Sequence, residues 1–258
     1  MKIGILGVGN MGGAILSGLV NKVAASSIYA LNPVNPRVDA LKNELGFNLF
    51  SDPTELKKQE LDVVISTVPA QINVKLLKSL NGINNNTVII SAAGGIKISQ
   101  VKEALPNNPI VAIIPNTPVS INHGTIATSF EKDISESSKQ SALKVLELLG
   151  DVIVTKEANL GIMGTVGGCG PAFVDIFMDA MADAAVEEGL DRATAYQVIS
   201  SMVSGSGQLA FQTGKTPAEL KDQVTSPGGT TIKGVTTLDE NGFRNAVVKA
   251  IKSSNETM

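Results

Sequence analysis

An α/β half of alternating strands and crossover helices, followed by an all-helical half, is the fold class this sequence predicts, and three observations carry the prediction. A glycine-rich turn, Gly7-Val8-Gly9-Asn10-Met11-Gly12-Gly13, joins an N-terminal apolar run to a helix-compatible stretch. Short apolar, β-branched runs recur as far as Val154, with helical periodicities between them. Beyond Val154 the alternation stops, and Ala-, Met- and Gly-rich helical patterns take over. The chain has 258 residues, 43% of them hydrophobic, more than one core normally serves. Two domains are expected, 1–156 and 157–258, with the boundary within 155–158.

The elements follow in order. Residues 2–6 read as a buried strand, the glycine turn follows, and 14–21 continue as a helix. A second strand fits 27–31, with a helix over 38–45. Further strands fit 63–67, 87–91, 109–114, 125–129 and 151–154, and helices fit 71–80 and 135–149. Repeated strand-helix crossings imply a mainly parallel sheet covered on both faces, with ligands entering at the strand C-termini.

At the first of those ends the glycine turn acquires meaning. A strand, G-x-G-x-x-G and a helix in immediate succession form the fingerprint of a Rossmann dinucleotide-binding domain. Gly7 makes the tight turn, Gly9 lets a pyrophosphate approach the backbone, and Gly12 brings helix and strand together. Asn10 and Met11 lie in the same turn, where the helix start offers free N–H groups to phosphate. The ends of later strands carry turn signals too: Ser66-Thr67-Val68-Pro69, Ser91-Ala92-Ala93-Gly94-Gly95 and Pro115-Asn116-Thr117-Pro118. Thr67, Val68, Ala92, Ala93, Gly94, Asn116 and Thr117 are thereby candidates to border the cofactor, against a reading as ordinary loop chemistry.

The second strand bears on which cofactor. An acidic residue at its end commonly receives the ribose 2′-hydroxyl of NAD, but Leu31-Asn32-Pro33-Val34-Asn35-Pro36-Arg37 has none before Asp39. Asn32 can donate to the ribose and Arg37 can pair with a 2′-phosphate, which favours NADPH and leaves NADH as the other option. A solvated Arg37 at the start of the next helix is the alternative.

The second half reads as a substrate and association domain. A helix is expected over 171–188, opened by Pro171. Its acids, Asp175, Asp179, Asp183 and Glu187, recur every fourth residue; like charges at that spacing repel, so the row reads as a wet face and not a metal site. A second helix spans 192–213, with small residues that allow close packing. About one hundred residues cannot easily cover two long apolar helices, so a homodimer through this half is expected, against a self-contained bundle as the other reading. Near the C-terminus, Ser226-Pro227-Gly228-Gly229-Thr230-Thr231 places a tight turn before a helix. The N–H groups of Gly228, Gly229 and the helix start, with hydroxyls of Ser226 or Thr230, can hold a small carboxylate; a bare turn and helix cap is the other reading.

Composition narrows the classes further. A net charge of -3, from 21 basic and 24 acidic residues, gives no field for nucleic acid. One cysteine, Cys169, builds neither a disulfide framework nor a thiolate metal site. No leader pattern and no uninterrupted membrane span is read, so the cytoplasm is expected.

Together with Gly168-Cys169-Gly170-Pro171-Ala172-Phe173 and the stretch from Asp222 to Thr231, these motifs resemble the pyrroline-5-carboxylate reductase family over nearly the whole chain. The resemblance implies a Rossmann domain and an all-helical domain that interlocks in a dimer, in some members built up into a decamer. It implies reduction of the cyclic imino acid 1-pyrroline-5-carboxylate to L-proline, the last step of proline biosynthesis. The substrate carboxylate would sit at the turn 226–229, the Thr231 hydroxyl near the imine nitrogen, and Asn116 and Thr117 beside the nicotinamide carboxamide and reacting centre. The chain departs from the family where Val-Lys-Pro-Gln becomes Val68-Pro69-Ala70-Gln71, and where Cys169 and Phe173 replace hydroxyl-bearing residues.

Such a reaction needs no metal or covalent nucleophile. Thr231 orients the nitrogen; as a free acid its hydroxyl is weak. His123 and Cys169 lack evident partners for acid or thiol catalysis, and Lys233 can attract the substrate or face solvent. Two rivals are a β-hydroxyacid dehydrogenase and a non-enzymatic NADP-binding regulator. The first would want a lysine early in the helical half, yet none lies between Lys156 and Lys215.

Overall fold

In the computed structural model, which describes residues 1–256, the first compact unit runs from Met1 to Gly168 and the second begins at Cys169. The sheet is laid down as β1 (Ile3–Leu6), α1 (Asn10–Val20), β2 (Ile28–Leu31), α2 (Pro36–Leu45), β3 (Asn48–Phe50), α3 (Pro53–Lys57), β4 (Val63–Ser66), α4 (Ala70–Ser79), β5 (Val88–Ser91), α5 (Ile98–Ala104), β6 (Ile110–Ile114), β7 (Gly124–Phe130), α6 (Glu136–Leu146) and β8 (Gly150–Val154). Strand order is β3-β2-β1-β4-β5-β6-β7-β8, parallel except where β6 meets β7. The order reverses direction between β1 and β4, whose registers put Leu6 beside Leu31 and Ser66. An open α/β sheet takes its ligand in the crevice at such a switch point.

Alternating side chains along the strands build a core on each face. Ile3, Ile5, Val63, Ile65 and Ile90 pack with Ile15, Leu16 and Leu19 of α1 and with Val145 and Leu146 of α6. Leu6, Val64, Ile89 and Ile110 pack on the other side with Leu56, Leu77 and Val101 from α3, α4 and α5. Each fully buried Ile or Leu contributes roughly 1.5–3 kcal/mol, which makes this half independently massive in apolar burial.

The sequence reading misses β3, α3 and α5. Each is too short, at 3, 5 and 7 residues, to show a period. It also starts α1 four residues late, because the helix begins inside the glycine turn, with Gly9 as its N-cap.

The compact units divide at Gly168, later than the 156/157 boundary read from the sequence. The strands do end at Val154, but α7 (Leu160–Gly164) packs back on the sheet: Leu160 joins the second core, and a Cβ on Gly164 would lie 2.9 Å from Ile114 Cδ1. A π-turn, Thr165–Cys169, then leads to α8 (Gly170–Glu187).

The second unit continues with α9 (Arg192–Thr213), α10 (Pro217–Gln223), α11 (Thr230–Glu240) and α12 (Phe243–Asn255). Its buried core among the described residues is Ala182, Ala195 and Ile199. Large apolar side chains face outward: Ile176 is 70% exposed, Val198 56% and Phe211 60%. The acidic row is exposed as expected, with Asp183 paired to Arg192 at 2.7 Å and Asp179 accepting from the Tyr196 hydroxyl at 2.8 Å. No metal-ligating cluster occurs among the described residues.

One expectation is corrected here. The helical run Glu157–Glu187 is long and apolar enough to cross a membrane by length and composition, with 17% of its most apolar window buried. The sequence reading found no uninterrupted span, and the backbone is helical throughout this run.

Helix caps give this unit a pH signature. Asp191 accepts from the Thr194 N–H at 3.0 Å, and hydrogen bonding from Thr194 holds its carboxyl below the usual carboxylate range. A lowered folded pKa contributes stability that is present above the unfolded value of about 4 and is lost as pH falls through the folded one. Asp191→Asn keeps a cap without a titrating group, so its melting temperature is expected to fall less steeply than wild type between neutral pH and the acid limb, read by thermal unfolding across pH.

Candidate functional site

The glycine turn is held by three strands at once. Gly7, at φ +85°, donates its N–H to Leu31 O at 2.8 Å, and the Thr67 hydroxyl donates to Gly7 O at 2.7 Å. Behind it, a Cβ on Gly12 would sit 2.0 Å from Gly7 O, so only glycine lets α1 start this close to β1. A Cβ on Gly9 would meet nothing within 4 Å, so the outer face of the turn is open, with the first N–H groups of α1 unpaired. Asn10 is exposed and Met11 half-buried on that first turn.

A cavity of about 580 Å³ opens at the switch point. Gly7, Gly9, Asn32, Thr67 and Val68, five of the residues singled out in the sequence, line it. Leu31, Pro33, Pro53, Ile72 and Leu76 supply a mainly apolar wall, and Ser51, Lys75 and Ser79 add polar groups. The sequence reading missed this wall. Ser51 and Pro53 flank the unread β3 and α3, whereas Ile72, Lys75, Leu76 and Ser79 show a legible i, i+3, i+4, i+7 face of α4.

Asn32 is placed differently from expectation. Its Oδ1 accepts from the Val8 N–H at 2.8 Å and its Nδ2 donates to Pro33 O at 2.8 Å. The amide therefore braces the glycine turn and has one remaining N–H for a ribose. Arg37 is exposed and has no ion pair among the described residues; its Nη2 lies 4.0 Å from where a Cβ on Gly13 would stand. Its backbone N–H donates to Asn35, the residue that caps α2, so the cap role belongs to Asn35.

Farther along the sheet, Ala92 N–H donates to Ser66 O at 2.8 Å, tying the ends of β4 and β5 together. Ala93 is half-buried and Gly94 is exposed on the loop beyond. Asn116 is 8% exposed, with both ends of its amide bonded to backbone, while Thr117 beside it is exposed. Ala92, Ala93, Gly94, Asn116 and Thr117 lie outside the lining of the switch-point cavity.

In the helical unit, Ser226 to Gly229 form a hydrogen-bonded turn in which Gly229 N–H donates to Ser226 O at 3.0 Å. Pro227 precedes Gly228 at φ +66°, the positive φ that the third position of a type II turn requires. The Gly229 N–H closes the turn. A Cβ on Gly229 would stand 2.4 Å from Ser226 Oγ, so its glycine is steric. Donors remain at Gly228 and at the start of α11, where Thr230 and Thr231 are exposed and make no side-chain hydrogen bond among the described residues.

Known proteins match these features in both halves. A family model described as pyrroline-5-carboxylate reductase dimerisation matches residues 157–258, and one described as NADP oxidoreductase coenzyme F420-dependent matches residues 2–95. Pyrroline-5-carboxylate reductase of Escherichia coli K12 is 35% identical over 254 residues, covering 97% of this chain and 94% of that protein. The chain belongs to the pyrroline-5-carboxylate reductase family. Two solved pyrroline-5-carboxylate reductases agree in fold. That of Plasmodium falciparum, with NADP bound, has a TM-score of 0.84 at 27% identity and covers 100% of this chain and 96% of its own. That of Coxiella burnetii has a TM-score of 0.86 at 26% identity, covering 99% and 96%.

Against the pyrroline-5-carboxylate reductase pattern, the departures fall at two places. Pro69 is exposed at the N-cap of α4 and lines the switch-point cavity, so the lysine of the family pattern is absent from that wall while Lys75 of α4 is present on it. Cys169 is half-buried at the end of the π-turn, and Phe173 packs in the first two turns of α8.

Proposed function

We propose that this enzyme reduces 1-pyrroline-5-carboxylate to L-proline with NAD(P)H, and membership of the reductase family over nearly the full chain is the observation that carries the reading. The cradle fits the cofactor: an open Gly9 face, a Gly12 that no side chain could replace, and a largely apolar cavity at the switch point. Gly7, Gly9, Asn10, Met11 and Gly12 would hold the pyrophosphate against the N-terminus of α1. Thr67 and Val68 would border the adenosine side, and Ala92, Ala93, Gly94 and Thr117 the nicotinamide side. Bound NADPH supplies the hydride that reaches the imine carbon.

The chain's own work is then binding and alignment. Gly228 and the first N–H groups of α11 would hold the substrate carboxylate, with the Ser226 and Thr230 hydroxyls beside them. The Thr231 hydroxyl would hydrogen-bond the imine nitrogen and keep the acceptor in line, because alignment accounts for most of the rate in a reaction whose iminium form is already electrophilic. The exposed apolar faces of α8 and α9 favour assembly through the helical unit, as a dimer that can build into larger rings such as a decamer. A cytoplasmic location completes the reading. A β-hydroxyacid dehydrogenase would want a general-base lysine early in the helical half, and none occurs from Glu157 to Gly214.

NADPH is the preferred cofactor in this reading, since Arg37 lies unpaired over the first turn of α1 and no acid ends β2. Loss of a charge-assisted bond costs roughly 1.5–3 kcal/mol, so Arg37→Gln is expected to raise the KM for NADPH about tenfold or more and to leave NADH nearly unchanged. The test is steady-state absorbance loss of each dinucleotide with 1-pyrroline-5-carboxylate, with proline identified as product. Proline formation supports the assignment; tight binding of dinucleotide without proline would favour a non-enzymatic regulator and overturn it.

A further inference from the structure

We propose that Asn116 is a positioning residue of the reaction centre, acting through the backbone of the π-turn, and that its amide does not contact the cofactor. The proposal rests on the reductase reading. Asn116 follows β6, and its side chain joins two other segments of the same unit. Its Oδ1 accepts from the Thr125 N–H at 2.8 Å, at the start of β7. Its Nδ2 donates to Gly167 O at 3.0 Å, within the π-turn Thr165–Cys169.

The second bond has a reason in the sequence. Gly167 lies in a π-turn, whose i→i+5 register pairs its carbonyl with residue 172, while the α-helical register that follows would pair it with residue 171, a proline with no N–H. The Asn116 amide gives that carbonyl a donor where the register changes. At 8% exposure the amide has little access to any further ligand, and its two backbone bonds fix its orientation. Gly167 itself sits close to the strand, since a Cβ there would stand 4.0 Å from Thr125 Cγ2. π-turns inside helices recur at functional sites, and the Asn116 side chain ties this one to the strand end that carries Thr117. Loosening the pin lets the Thr117 turn and the π-turn move independently, and a misplacement of about 1 Å can cost on the order of a hundredfold in rate.

Asn116→Asp retains the acceptor for Thr125 and loses the donor to Gly167. Measured well below its melting temperature, it is expected to lose at least tenfold in kcat, with KM and Kd for NADPH within twofold of wild type. Adding Pro171→Ala lets the Gly167 carbonyl pair in the α register as well and is expected to recover at least threefold of the lost kcat. Amide hydrogen exchange over residues 165–169 reads the same tie without turnover: faster in Asn116→Asp and slowed again in the double variant. An unchanged kcat in the folded single variant makes the tie merely structural and overturns the proposal. So does a raised Kd for NADPH at unchanged kcat, which would make Asn116 a direct contact, and so does exchange identical to wild type. Wild type assayed in parallel separates the two readings, because absence of proline there sinks the reductase assignment while the exchange result still judges the tie.

Discussion

Gly12→Ala is expected to abolish measurable NADPH binding and to lower the melting temperature together. The added methyl would lie 2.0 Å from Gly7 O and 2.7 Å from Thr67 Oγ1, and the first of these is backbone that cannot swing aside. Gly7 O is itself held by the Thr67 hydroxyl, and Gly7 N–H is bonded to Leu31, so the methyl must displace the turn or pry α1 from the sheet. Overpacking of this kind costs about 1–3 kcal/mol even where side chains yield, and here backbone must. Gly9→Ala makes the informative contrast. Its methyl meets no protein atom within 4 Å, so the fold should melt as wild type does while the pyrophosphate loses its approach. Fluorescence titration with NADPH beside thermal unfolding separates the two. If Gly12→Ala bound NADPH within threefold of wild type, the cofactor would not lie on this turn.

Thr231→Val is expected to lower kcat/KM for the imino acid about a hundredfold, the scale seen when one preorganised hydrogen-bonding group at a reacting centre is removed. Kd for NADPH should stay within twofold, since the glycine cradle is built from residues of the first unit alone. Valine matches threonine in shape and in helix propensity, so α11 should keep its start. Thr231 is exposed in the first turn, and its hydroxyl has no hydrogen bond among the described residues that the change could break. Thr231→Ser retains the hydroxyl and should keep most of the activity. Equal loss in both variants would point to packing of the methyl group and remove the hydroxyl from the reaction.

The sequence was most informative where a residue type is forced by backbone. Gly7, Gly12 and Gly228 are required by a positive φ or by a close approach, and each was readable from spacing alone. The alternating half was readable for a related reason, because strands such as Val63–Ser66 are buried on both faces and so appear as unbroken apolar runs. Less was legible where a polar side chain had two possible partners. Asn32 and Asn116 read as ligand donors, and their amides also bond the protein's own backbone, Asn32 while lining the cavity. Gly229 read as a free N–H, and that N–H closes the turn. Lys75 went unnoticed because a lone lysine on an amphipathic helix reads as solvated until α4 is placed along the cavity. The contact boundary at Gly168 was not legible, since nothing local in Leu160–Gly164 says that it packs on the sheet, whereas the matched dimerisation family model begins at residue 157, where the sequence reading divides the chain.

The two halves also differ in what they require from the solution around them. A helical unit whose buried core is Ala182, Ala195 and Ile199 carries too little apolar burial to hold four long segments by itself. In the dimer proposed above its folding would be a reaction of higher order, in which another copy of the chain is a reactant. Dilution should therefore act on this protein as a denaturant does, melting α8 and α9 first while the sheet persists, and the rate of synthesis in a cell would set the fraction of chains that ever become enzyme.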